Sequence, residues 1–146
     1  MAKTNKTEHT STKSEKELED FFIENIEEIS NSCKWGEIER FERQFRIKLK
    51  EGFIVADVMI WHKDGSGTCV EIKTLSNNRN NDLTGIAQLL FYGNIMEKSL
   101  SNLPRLVLVA PNIKDECFST VKRFNLPISF LGLTENKCIY LSNGTK

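Results

Sequence analysis

The chain is poor in the residues that announce several common chemistries. It has only two histidines, His9 and His62, which leaves histidine-based metallohydrolase and histidine-centred nuclease chemistry with little support. Its four cysteines, at 33, 69, 117 and 138, form no Cys-x-x-Cys pair. Reduced thiols therefore fit better than a zinc site or a disulfide framework. No Gly-x-x-x-x-Gly-Lys-Ser/Thr phosphate loop is present. The longest apolar run, 53–61, is short and interrupted by Asp57, so no segment is suited to span a membrane. Charge of neither sign prevails: 20 Lys and Arg balance 20 Asp and Glu. Without a global basic field, any surface for nucleic acid must come from local clustering of Lys and Arg.

What is present is a chain of 146 residues, 39% hydrophobic and 27% charged, large enough for a core without covalent staples. Residues 1–13 carry no large apolar residue beyond Met1 and read as a disordered polar tail. Residues 14–146 read as a single domain with no internal linker. No secretory signal is recognisable, so the expected location is cytoplasmic or nucleoid-associated.

Hydrophobic periodicity outlines the elements. Ser14 and Glu17 form a capping box, followed by a helical stripe of Leu18, Phe21, Phe22, Ile26 and Ile29. The segment Phe41 to Lys50 alternates, with Phe45, Ile47 and Leu49 on one face and Arg46, Lys48 and Lys50 on the other, which predicts a half-buried strand. Two further strands, 53–61 and 68–74, flank the turn Lys63-Asp-Gly-Ser-Gly67. The Asn-rich stretch Leu75–Asn81 reads as a loop, and a helix capped by Asp82 runs to about Leu100. Arg105-Leu-Val-Leu-Val-Ala110 is apolar enough for a strand covered on both faces. A helix over about 114–124 and strands over 127–131 and 138–141 complete an α/β fold, a mixed sheet flanked by helices.

The chemistry concentrates in the central hairpin. Asp57 sits inside an apolar strand, where an uncompensated charge is costly. Residue 64 is the midpoint between 57 and 71, so a symmetric hairpin sets Asp57 opposite Glu71, and like charges directly opposed repel. A divalent cation is the simplest compensator, and hard oxygen ligands of this kind suit Mg²⁺. Lys73 shares the face of Glu71, placed to orient a water or to stabilise negative charge in a transition state. Glu-x-Lys alone is not specific, since it recurs as Glu135-Asn-Lys137. The combination with Asp57 is what points to metal-dependent phosphodiester cleavage. Gln88 and Tyr92, four apart on one helix face, either frame that site or simply touch each other. In the first helix, Glu15 and Glu19 are rivals for the position on its buried side.

The order helix, strand, acidic hairpin, helix and strand, together with these residues, resembles the PD-(D/E)XK nuclease superfamily over about residues 14–133. The expected fold is accordingly a restriction-endonuclease-like core, similar in particular to the catalytic domain of the NucS/EndoMS endonucleases. Glu15 stands nine residues before Glu24-Asn25, as a glutamate does in that family's first catalytic helix, which favours Glu15 over Glu19. Asp57 and Glu71-Ile-Lys73 match its metal-binding acids and Glu-x-Lys, Gln88-Leu-Leu-Phe-Tyr92 matches its QxxxY helix, and Leu106-Val-Leu-Val-Ala-Pro111 resembles the strand that follows. The resemblance implies a Mg²⁺-dependent DNA endonuclease, with Mn²⁺ able to substitute. Asp57, Glu71 and the backbone carbonyl of Ile72 would hold metal, Lys73 would act at the attacking water, and Glu15, Gln88 and Tyr92 would support the site. Arg43, Arg46 and Lys48 are the expected DNA contacts, and a homodimer would present two sites to two strands. The family carries a separate N-terminal domain for dimerisation and DNA binding, and with residues 1–13 read as a short polar tail the expectation is that mismatch recognition does not carry over. A catalytically weak DNA-binding module on the same fold, or a protein-binding adaptor, are the alternative readings.

Overall fold

A computed structural model describes residues 14–74 and 81–142; the expected tail and the Asn-rich loop at 75–80 lie outside the described residues. The capping box at Ser14 and Glu17 is formed, each side chain bonding the other's backbone N–H, and it starts α1 (Glu15–Glu24). The apolar stripe continues into α2 (Ile26–Cys33), but as a second helix. Asn25 leaves helical geometry at φ −114° and ψ 19°, and its side chain donates to the carbonyl of Phe21. A local side-chain bond of this kind competes with the helical ladder, and the 3.6-residue stripe passes through the break unaltered.

The strands are β1 (Ile38–Lys48), β2 (Phe53–His62), β3 (Gly67–Ile72), β4 (Arg105–Ala110), β5 (Ile128–Thr134) and β6 (Lys137–Leu141), with α3 (Asn81–Leu100) after β3 and α4 (Asp115–Arg123) after β4. They form one sheet in the order β1-β2-β3-β4-β5-β6. The pairs β3–β4 and β4–β5 are parallel and the outer three antiparallel, the mixed sheet expected for an α/β chain. Every residue of β3 is buried, because helices cover both faces there. On one face Leu18, Phe22 and Ile26 of the first two helices meet Val58, Ile60, Val70 and Val107. On the other, Ile86, Leu89 and Met96 of α3 and Val121 of α4 meet Met59, Leu106 and Phe130. A fully enclosed side chain such as Phe22 stabilises the fold by about 1.5–3 kcal/mol through removal from water. The Glu135-Asn-Lys137 segment spans the turn into β6.

Candidate active site

The β2–β3 ladder runs from Trp61↔Gly67 to Val58↔Val70 and there ends. Extended by one step, the same register would set Asp57 opposite Glu71, and the Asp57 charge bears on Glu71. In place of the ladder, Oδ2 of Asp57 accepts the backbone N–H of Ile72 at 2.7 Å. The acid pair thus stands where the sheet splits. Beyond it β3 ends at Ile72, while β2 continues with β1 as a two-stranded ribbon to the register pair Lys48↔Phe53.

Burial sets the electrostatics of the pair. Glu71 is buried, and loss of hydration, reinforced by the Asp57 charge, raises its carboxyl pKa to about 8. Asp57 is half-buried, and desolvation raises its pKa too, against the lowering effect of the Ile72 amide. Lys73 is buried as well, and its Nζ approaches Oε2 of Glu71 at 3.5 Å. The other oxygen, Oε1, is buried without a hydrogen-bond partner. A carboxylate with an orphaned oxygen, facing a second acid, is a donor set suited to a hard cation. Among the described residues no three His, Cys, Asp or Glu converge as a closed metal cage. Two carboxylates alone would suit an ion that keeps several waters in its shell.

The helix residues take distinct places. The Tyr92 hydroxyl donates to the carbonyl of Val55 at 3.0 Å, tying α3 to the ribbon two residues from Asp57. Gln88 is half-buried, and its Oε1 is also orphaned. Glu15 lies exposed in the first turn of α1. Glu19 is buried. Both charges bear on Asp57, that of Glu19 more strongly. The carboxylate of Glu19 is held by Arg43 Nε at 2.8 Å and by Gln44 Nε2 at 3.2 Å.

Of the three expected DNA contacts, Arg43 is therefore turned inward, its second bond going to Asp20. Arg46 and Lys48 are exposed on the ribbon. Cross-strand partners point to one side, so Arg46 and Lys48 share a face with Val55 and Phe53. The Arg46 guanidinium lies 4.3 Å from the Phe53 ring centroid.

Gly85 belongs to no motif of the sequence, but the fold sets it against the site. A Cβ there would come within 2.6 Å of Leu108 Cδ1, 3.2 Å of Lys73 Cγ and 3.5 Å of Lys73 Cε, so the bare backbone of α3 makes room for the Lys73 stem. Glycine in a helical run, here at both 85 and 93, costs helix propensity, and that cost was the available signal that something packs against it.

No protein-family model matches the chain, and no curated protein matches it in sequence. Solved structures do. The six-stranded mixed sheet with helices on both faces is similar in fold to a repair endonuclease and to EndoMS. A repair endonuclease from Pyrococcus abyssi superposes with a TM-score of 0.57 at 22% identity, over 81% of this chain and 46% of its own. The EndoMS–dsDNA complex gives 0.52 at 26% identity, over 80% and 43%. The chain thus spans less than half the length of either neighbour.

Proposed function

We propose that the protein is a metal-dependent DNA endonuclease of the PD-(D/E)XK kind, hydrolysing phosphodiester bonds at the Asp57–Glu71–Lys73 site. The observation that carries this reading is the buried Glu71 carboxylate with its unsatisfied oxygen, facing a second acid and beside a lysine. A purely structural hairpin gains nothing from setting a half-buried acid against a buried one. Likeness in fold to a repair endonuclease and to EndoMS in complex with DNA supports the same reading.

Asp57, Glu71 and the Ile72 carbonyl would hold Mg²⁺, or Mn²⁺ in its place. The bound ion supplies charge neutralisation at the scissile phosphate and lowers the pKa of a bound water. Lys73 orients the attacking water and faces the charge that grows on the phosphate. The Glu71 partner keeps that lysine in place. Glu15 contributes a negative charge at the open end of the site. Tyr92 holds the ribbon, and Gln88 offers a side-chain amide to a water or to substrate. Arg46 and Lys48 meet phosphates beside the site, whereas Arg43, neutralised by two acids, serves the scaffold. A homodimer would bring two such sites to the two strands of a duplex, in repair, restriction, homing or a mobile element.

The test is cleavage of a labelled panel (plain and mismatched duplex, flap, four-way junction, single strand) with Mg²⁺, Mn²⁺ or EDTA. Products that require metal and vanish in Asp57→Asn are expected. Gel shifts without any cleavage would instead favour a DNA-binding module that has lost its chemistry, and absence of both would favour a protein partner.

A further inference from the structure

The β1–β2 ladder contains a discontinuity at the acid site. It pairs Arg43 with Val58 and Phe45 with Ala56, so the register is the same on both sides, yet Gln44 and Asp57 between them do not pair. Gln44 has φ +50°, a left-handed conformation that is uncommon for residues other than glycine. In a regular strand, residues two apart share a face. Here they do not. Arg43 reaches Glu19 and Asp20 of α1, and its partner Val58 lies in the core under α1 and α2. Phe45 and its partner Ala56 lie in the opposite core, under α3. The strands exchange faces at Gln44 and Asp57 without gaining a residue.

We propose that Gln44, clamped to α1 through Glu19 and Arg43, is a positioning residue that delivers the Asp57 carboxylate to the Ile72 amide and so to the metal site. The face exchange leaves Asp57 out of the ladder with β1, free to turn toward β3. The clamp holds the bend from the other side: Arg43 and Gln44 each bind one oxygen of the Glu19 carboxylate. That carboxylate is buried and anchored on α1, so it ties the bend to the helix. Irregularities that re-aim a side chain are common beside active sites.

The inference rests on the reading of Asp57 as a metal ligand, but its geometric half has its own reporter. The Ile72 N–H donates to Asp57 Oδ2, so hydrogen exchange of that one amide registers where the carboxylate is, with no metal and no turnover. Gln44→Val, Gln44→Gly and Arg43→Ala are compared with the wild type by amide exchange and by Mn²⁺ titration. Valine tolerates φ near +50° poorly and glycine adopts it freely. In Gln44→Val, Ile72 exchange is expected to speed up by about tenfold or more and Mn²⁺ affinity to fall by about 10–100-fold, with the Cys69 and Val70 amides unchanged. Gln44→Gly, which keeps the left-handed backbone but loses the bond to Glu19, is expected to fall between the wild type and Gln44→Val in both. Arg43→Ala is expected to follow the valine variant, and it decides the matter if Gln44→Val does not fold. Unchanged Ile72 exchange in folded Gln44→Val or Arg43→Ala overturns the proposal, as does a loss in Gln44→Gly equal to that in Gln44→Val. A wild type that binds no Mn²⁺ removes the nuclease reading and leaves the Ile72 amide to decide the positioning role.

Discussion

Lys73 Nζ lies 3.5 Å from one oxygen of Glu71, while the other oxygen of that carboxylate is buried with no partner. One lysine against two acids leaves the site short of positive charge, and burial magnifies the shortfall. Two consequences follow, one for stability and one for activity.

Glu71 has its folded pKa raised from 4.5 to about 8. Between those values the folded state binds the proton that the unfolded state has released, so stability falls as pH rises. Metal-free protein is expected to lose up to a few kcal/mol between about pH 4.5 and pH 8, with Asp57 adding in the same direction. Urea unfolding at pH 5 and pH 8 checks this, and Glu71→Gln should flatten the dependence. Mg²⁺ at a hundred times its Kd should restore about 2.7 kcal/mol at pH 8.

Asp57→Asn and Glu71→Gln should each abolish metal-dependent cleavage and leave the circular dichroism spectrum unaltered. Removing one of two repelling acids should also leave the metal-free protein as stable as the wild type, or more so, at pH 8. Variants that cleave normally would remove the site from consideration.

Tyr92→Phe deletes the hydroxyl that binds the Val55 carbonyl. A cost of about 0.5–1.5 kcal/mol is expected in denaturant unfolding, together with reduced cleavage, because the ribbon that carries Asp57 loses its tie to α3. Full cleavage at the reduced stability would confine the hydroxyl to a structural role.

Arg46→Ala and Lys48→Ala should each lower the slope of log affinity for DNA against log salt by about one. Arg43→Ala should leave that slope unchanged, since its charge is already matched by Glu19 and Asp20. Fluorescence anisotropy over a salt series separates the three. A slope lowered equally by Arg43→Ala would show that the arginine leaves its clamp for DNA.

Gly85→Ala gains about 1 kcal/mol in helix propensity and loses about 1–3 kcal/mol to overpacking against Leu108 and Lys73. Leu108 is fully buried and has little room to yield, so net destabilisation is expected. Impaired cleavage should accompany it. Unfolding curves and cleavage rates measured on the same preparation test both.

Much of this protein was determined by local sequence. Apolar spacing and the capping box mark α1, a continuous apolar run marks β4, and the symmetry of 57 and 71 about residue 64 sets the acids opposite each other, because a tight hairpin ties register to turn position. Side-chain bonding decided what periodicity cannot carry. The Asn25 side chain parts α1 from α2, and Gln44 turns left-handed inside β1, where the alternating sequence gives no sign of a break. Tertiary structure alone decided which charges are spent. Arg43 and Arg46 are both arginines in a basic strand, but only Arg43 comes within reach of two acids on α1. That meeting joins residues 19 and 43, distant in sequence, and no pattern along one strand encodes it. The elevated pKa of Glu71 is likewise a property of the closed fold, since it arises from water excluded by helices on both faces of the sheet.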